Sequence, residues 1–215
     1  MKKIIIICEG QSEEAFCNQI LKKHFAELDI EIENTLILYS GGGIVKWKHL
    51  KAQIELYHIS APEAFTTTFI DYYGLESHHK FPKWSDAQRE TDKVERMLVL
   101  ENAMQNDIEM RFKDKFIPYI QLHEFEALVF SDFSCFESLY ESNELDSEQL
   151  NVLCQQNPET INNGTATAPS KRLKRHIPAY DKVNDGVELL KLIGLNKIRS
   201  KCLHFNDWIT KLERI

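Results

Sequence analysis

The chain has 215 residues, 43% of them hydrophobic and 27% charged, which suits one α/β domain with a smaller helical elaboration in an ordinary globular protein. Its formal net charge of −7 excludes a global basic footprint for nucleic acid, so any such site must be a local patch or lean on metal ions. No apolar run approaches the ~20 residues of a membrane span, and Cys8, Cys17, Cys135, Cys154 and Cys202 are scattered without a CxxC pair, so they read as reduced, mostly buried thiols of a cytoplasmic protein.

The stretch Lys2 to Phe16, KKIIIICEGQSEEAF, organises the rest. Its run of isoleucines reads as a strand buried on both faces, as in a parallel sheet, and it turns acidic too soon for a signal peptide. Gly10 permits a sharp exit. Gln11 to His24 then takes helical spacing, with Ser12 as a possible cap and Glu13 and Glu14 in the first turn, where acids suit the dipole. Glu9 therefore stands at the carboxyl end of the first strand, where open α/β sheets bind ligands. The alternative is a solvated turn residue.

Asn34 to Tyr39 is the second predicted strand, running into Ser40-Gly41-Gly42-Gly43. Such a glycine run can bring backbone N–H groups to an anion, or be a plain flexible connection. Val45 to Ser60 follows as a helix with Trp47, Leu50, Ile54 and Tyr57 on one face. Lys46, Lys48, His49 and Lys51 make its start basic, a patch that could face phosphate or merely solvent.

Ala64 to Tyr73 is the third strand, rich in threonine and aromatics and closing on Asp71. Leu75 to Asp86 is an irregular segment of a length that is often functional. Thr91 to Arg111 is a charged helix with Met97, Leu100 and Met104 on its apolar stripe. Lys115 to Leu122 is the fourth strand, placed at an edge or margin by Pro118, and it leads into His123-Glu124-Phe125-Glu126. Beyond Asp132 the pieces are short and helical: Cys135 to Glu141, Ser147 to Gln156, Ser170 to Arg175, Lys182 to Ile193 and Phe205 to Arg214. Asn157 to Pro169 is a turn-rich connection. The expected organisation is an α/β domain over residues 1–131, with a parallel sheet of about four strands flanked by helices, and a helical C-terminal extension over 132–215 packed on that domain.

Three predicted strands end in acid: Glu9, Asp71, and Glu124 or Glu126. In a doubly wound sheet those ends share one edge. Carboxylates without thiolates make a hard oxygen site, suited to Mg²⁺ or Mn²⁺, ions that activate water or hold a phosphate for displacement. If the strand runs on through HEFE, Glu124 and Glu126 share a face; if a helix has begun, His123 and Glu126 do. His123 is then a candidate ligand or proton shuttle, or a strand-end histidine satisfied by backbone.

At these residues the chain resembles a TOPRIM domain, the fold shared by topoisomerases, bacterial primases and overcoming-lysogenization-defect (OLD) nucleases. Closer still, it is similar to a bacterial TOPRIM-like family of unknown function, often encoded beside an ABC-type or OLD-like ATPase in mobile or defence loci. The matching pieces are EGQSEE, GGGIVKWKHL, TTFIDYYG, FIPYIQLHEFEALVFSD, NPETINNG, APSKRL and CLHFNDWITKLE, which span nearly the whole chain. The resemblance implies a glutamate after the first strand and an Asp-x-Asp pair after the third. Here that pair reads Asp71-Tyr72-Tyr73, so one ligand is missing or is supplied by HEFE. It also implies a late lysine that steadies phosphate charge, best matched by Lys171. Pro169 and Ser170 could start a helix with Lys171 and Arg172 in its anion-attracting first turn, and Glu159 and Asn162 could orient Lys171, add a ligand, or be turn and cap residues.

Two functions from different classes follow. One is a Mg²⁺-dependent endonuclease acting on DNA or RNA as the effector of an ATPase partner in phage defence. Glu9, Asp71 and a HEFE glutamate would hold metal, Lys171 and His123 would assist the chemistry, and Lys46, Lys48, Arg172, Glu159 and Asn162 would bind substrate. The other is a non-catalytic TOPRIM-like module that binds nucleic acid or docks on an ATPase. A topoisomerase fits poorly, since 215 residues leave little room for a tyrosine domain and a gate. A homo-oligomer is compatible with either.

Overall fold

The computed structural model describes the chain except Gly42, Asn163 and Val183, with Thr165 described by its backbone alone. The chain divides into two compact units, Met1–Gln121 with Trp208–Ile215, and Leu122–Asp207.

The first unit is built on a parallel sheet. Its strands are β1 (Lys2–Cys8), β2 (Ile30–Leu36), β3 (Phe65–Asp71), β4 (Phe116–Ile117) and β5 (Ile120–Gln121), in the order β2-β1-β3-β4 with β5 also on β3. Every pairing is parallel. Ile4 to Cys8 are all buried, as an apolar strand covered on both faces requires. Cys8 is in register with Leu36 on one side and Phe69 on the other, so β1, β2 and β3 deliver their following loops to the same edge.

Helices flank the sheet. α1 (Gln11–Phe16) runs through a π turn at Cys17–Leu21 into α2 (Lys22–Ala26); α3 (Trp47–Ser60), α4 (Trp84–Ala87) and α5 (Lys93–Asp107) follow. Two strands depart from expectation. β2 starts at Ile30 rather than Asn34, because Ile30 and Ile32 are buried while Glu31 and Glu33 are exposed. That alternation marks a half-covered edge strand, and the apolar run after it obscured the start. The fourth strand is broken by Pro118 into β4 and β5. At the break the Thr68 hydroxyl accepts from the Tyr119 N–H at 3.0 Å and donates to the Tyr119 carbonyl at 2.9 Å, replacing lost ladder bonds.

The end of the chain returns to this unit. Trp208 donates its indole N–H to Thr67 Oγ1 at 2.8 Å and stacks on Tyr119 with ring centroids 4.3 Å apart. The Lys2 ammonium donates to the Ile215 carbonyl, and His24 pairs with Glu213 at 2.7 Å.

The second unit is helical. A 3₁₀ run over Phe125–Ser131 is buried throughout, and around it lie α6 (Ser134–Leu139), α7 (Ser147–Cys154), α8 (Pro169–His176), α9 (Asn184–Ile193), α10 (Leu195–Lys201) and the start of α11 (Leu203–Glu213). All five cysteines are free and buried. Among the described residues no helix is long and apolar enough to cross a membrane.

Candidate functional site

Glu9 and Asp71 come together. Glu9 is the first residue beyond β1, and Asp71 closes the adjoining β3. The Glu9 N–H donates to the Phe69 carbonyl at 3.0 Å, which carries the β1–β3 ladder to the edge. Glu9 Oε2 then accepts the Asp71 backbone N–H at 2.9 Å. Asp71 is 7% exposed and Glu9 is half-buried. Gly74 closes the other side: a Cβ there would lie 3.5 Å from Glu9 Oε1. The two acids that the strand pattern singled out therefore stand on adjoining strands at one edge, joined through the Asp71 main chain, and both carry hard oxygen donors.

The HEFE segment takes neither of the expected periodicities. β5 stops at Gln121, and the 3₁₀ run starts only at Phe125. Between them His123 adopts φ 69, left-handed backbone rare for a side chain without special support. That support is local: His123 is 4% exposed and its Nε2 lies 3.1 Å from the Glu159 carbonyl. Neither a continuous strand face nor a helix face runs through these residues, because this one inverted backbone breaks both.

In the second unit the candidate acids Glu124, Glu126 and Glu159 each have an internal partner. Glu124 Oε2 accepts the Ser170 N–H at 2.9 Å, so a carboxylate of the protein itself occupies the anion-attracting end of α8. Glu126 is fully buried, and the Lys182 ammonium reaches it at 2.9 Å. Burial pushes the Glu126 carboxyl above its ordinary range, and Lys182 opposes that shift. Glu159, 2% exposed, accepts the N–H groups of His204 at 3.1 Å and Phe205 at 3.0 Å and so caps α11. Burial raises its carboxyl too, against those two backbone donors.

Asn162 Oδ1 accepts from the Gly164 N–H at 2.8 Å and the Thr167 hydroxyl at 3.0 Å, as a turn residue does. Arg172 donates to the carbonyls of Thr167 at 2.8 Å and Ile161 at 3.0 Å, stitching that turn to α8. Lys171 is exposed on α8, and Lys46 and Lys48 are exposed at the start of α3. Among the described residues no group of three or more His, Cys, Asp or Glu side chains gathers as a metal cluster. The glycine run after β2 includes Gly42, which lies outside the described residues; Gly41 and Gly43 both take positive φ.

The family described as "Domain of unknown function (DUF4276)" matches residues 8–213. The chain belongs to that family. No curated protein matches it. Among solved structures it is similar to the C-terminal region of the Burkholderia pseudomallei OLD protein, at 16% identity and a TM-score of 0.48 over 98% of each chain.

Two residues of this DUF4276 chain that carry the local electrostatics were missed in the sequence. Glu13 reaches back from α1 so that its Oε2 accepts the Gly10 N–H at 3.0 Å, putting a second buried carboxylate one residue from Glu9. Its signal was present as an acid three residues beyond a helix cap, the spacing of a capping box. Lys182, the partner of Glu126, left no signal, since a lysine in a turn has no periodicity that points to a buried acid far back in the chain.

Proposed function

We propose that the DUF4276 chain is a Mg²⁺-dependent phosphodiesterase acting on nucleic acid, with Glu9 and Asp71 as its centre. The single observation that supports this is the placement of the two acids at the carboxyl ends of the adjoining strands β1 and β3, where the Asp71 main-chain N–H donates to Glu9 at 2.9 Å. The donor set fits the ion: Mg²⁺ takes oxygen ligands, keeps several waters, and is commonly bound through one or two carboxylates rather than a closed protein cage. When bound, it would neutralise phosphate charge and lower the pKa of a bound water.

The chain's own part is positioning. The Asp71 amide holds the Glu9 carboxylate in one orientation, so that side chain would meet a ligand without reorganising. Glu9 and Asp71 would hold the ion and orient the attacking water. Lys171 is the cation that the resemblance to OLD-type nucleases assigns to phosphate charge, whereas Glu124 and Glu126 are engaged by the Ser170 N–H and Lys182. The partners of this function are DNA or RNA, and an ATPase encoded nearby.

A second function rests on its own observation. Tyr73 stands where the resemblance calls for a second acid, while Glu124, Glu126 and Glu159 each hold an internal partner. That pattern favours a non-catalytic module that binds nucleic acid or docks on an ATPase.

Cleavage separates the two. End-labelled DNA and RNA are incubated with the purified chain and Mg²⁺, Mn²⁺ or EDTA, beside Glu9→Ala, Asp71→Ala and Lys171→Ala. Metal-dependent cutting lost in the two carboxylate variants, and reduced ~10²–10³-fold in Lys171→Ala, supports the nuclease. Binding without cutting under every condition, including with the neighbouring ATPase added, supports the module.

A further inference from the structure

The edge of the first unit that carries Glu9 and Asp71 also carries its exposed aromatic side chains. Of the described aromatic residues only Tyr39 and Tyr73 are exposed, Tyr39 at 96% and Tyr73 at 37%. Both stand on loops leaving that edge, Tyr39 after β2 and Tyr73 after β3. The other rings are buried or half-buried, which makes this placement informative, because an exposed aromatic gains nothing from folding.

The Tyr39 loop is held firmly at its base. The Ile37 N–H donates to the Cys8 carbonyl at 3.0 Å, and the Gln53 side chain of α3 accepts the Leu38 N–H at 2.9 Å while donating to the Leu36 carbonyl at 3.0 Å. Tyr39 itself takes φ 61. That backbone costs a non-glycine residue on the order of 1 kcal/mol, and here it presents a ring to solvent rather than to the core.

Cations accompany the rings. Lys46 and Lys48 open α3, and Lys80 follows the β3 loop; all are exposed, and none has an ion-pair partner among the described residues. Two contacts join the loops into one surface. The rings of Trp47 and Phe81 lie 5.5 Å apart, and a Cβ at Gly74 would be 3.9 Å from Ile44. Free lysines with exposed aromatics are the elements by which single strands are held, since bases stack on rings while cations follow the phosphates. In a duplex the base faces are already stacked on one another, so Tyr39 would have no base to receive.

We infer that this edge of the first unit binds single-stranded nucleic acid, with Tyr39 and Tyr73 as stacking platforms and Lys46, Lys48 and Lys80 on the phosphates. The inference rests on the nucleic-acid function proposed above and names the form of its substrate.

Fluorescence anisotropy tests it, using dye-labelled DNA and RNA of one sequence, each as single strand and as duplex, with EDTA present so that nothing is cut. Single strands bind at least about 10-fold more tightly than duplexes, and whichever sugar binds better names the strand. Tyr39→Ala weakens single-strand binding about 5- to 100-fold, the range for loss of one base–ring stack, while Tyr39→Phe retains it. Lys46→Ala with Lys48→Ala lowers the slope of log K against log salt by ~0.7 per lost phosphate contact. Duplex binding as tight as single-strand binding, or unchanged affinity in both Tyr39→Ala and Tyr73→Ala, overturns the inference. Failure of the nuclease proposal looks different: single strands would still bind through Tyr39, and metal would bring no cleavage.

Discussion

The backbone N–H of Asp71 donates to Oε2 of Glu9 at 2.9 Å, so one acid of the site orients the other through its main chain. The bond joins adjoining parallel strands where their ladder ends, and it needs an oxygen acceptor at position 9 rather than a charge. Glu9→Gln keeps an oxygen acceptor and should fold with stability within about 1 kcal/mol of the wild type. Glu9→Ala should lose about 1.5–3 kcal/mol by denaturant titration, the usual worth of a hydrogen bond to a charged group. Cleavage should vanish in both. A Glu9→Gln chain as active as the wild type would separate that carboxylate from catalysis.

His58 should make stability fall in mild acid. Its Nε2 lies 2.8 Å from Thr66 Oγ1, its ring stacks on Phe112 with centroids 5.0 Å apart, and it is buried. Burial, helped by the Lys115 charge, holds its pKa down from 6.5 to about 4. The unfolded chain therefore takes a proton as pH drops below 6.5 while the folded chain refuses it until about 4. Stability is full above the upper value and is lost across that window, by at most ~3 kcal/mol. His58→Gln should flatten the profile there, and an unchanged slope would mean the imidazole is not held neutral.

Tyr180 and Gly186 make a paired prediction in the second unit. A Cβ on Gly186 would come 2.9 Å from the Tyr180 hydroxyl, closer than real contacts allow. That hydroxyl is buried and has no hydrogen-bond partner among the described residues. Tyr180→Phe alone should be neutral or stabilising, because it removes an unpaired polar group. Gly186→Ala should cost about 1–3 kcal/mol by overpacking, and adding Tyr180→Phe should recover most of it. Strict additivity in the double variant would refute the clash.

Glu159 should prove structural before it proves functional. Its two oxygens take the N–H groups of His204 and Phe205, both buried. Glu159→Ala should cost roughly 1–3 kcal/mol and speed amide exchange at the start of α11. Unchanged exchange there would leave its carboxylate available for the substrate role first considered for it.

The residues that the sequence made legible are those whose place is set by the pattern of one regular element. The isoleucine run of β1 and the threonine-rich β3 declare themselves as strands, and with them Glu9 and Asp71 at one edge. Glu124, Glu126 and Glu159 were legible as candidates but not in what they contact, because Ser170, Lys182 and His204 come to them across irregular chain. HEFE failed both periodicity templates for a backbone reason, the left-handed turn at His123, which side-chain pattern does not encode. Tyr39 reads in the sequence as the last residue of a strand, since an aromatic at the end of an apolar run gives no sign that it will face solvent.

The central claim is that Glu9 and Asp71 bind a hard divalent cation, and Mn²⁺ titration followed by electron paramagnetic resonance tests it without relying on any substrate or partner. The wild-type chain should bind Mn²⁺ in competition with Mg²⁺. Glu9→Gln and Asp71→Asn should each weaken that binding at least about 10-fold, since each removes one of the few charged ligands such an ion uses. Mn²⁺ binding that is absent from the folded wild-type chain, or equally tight in both variants, would contradict the claim.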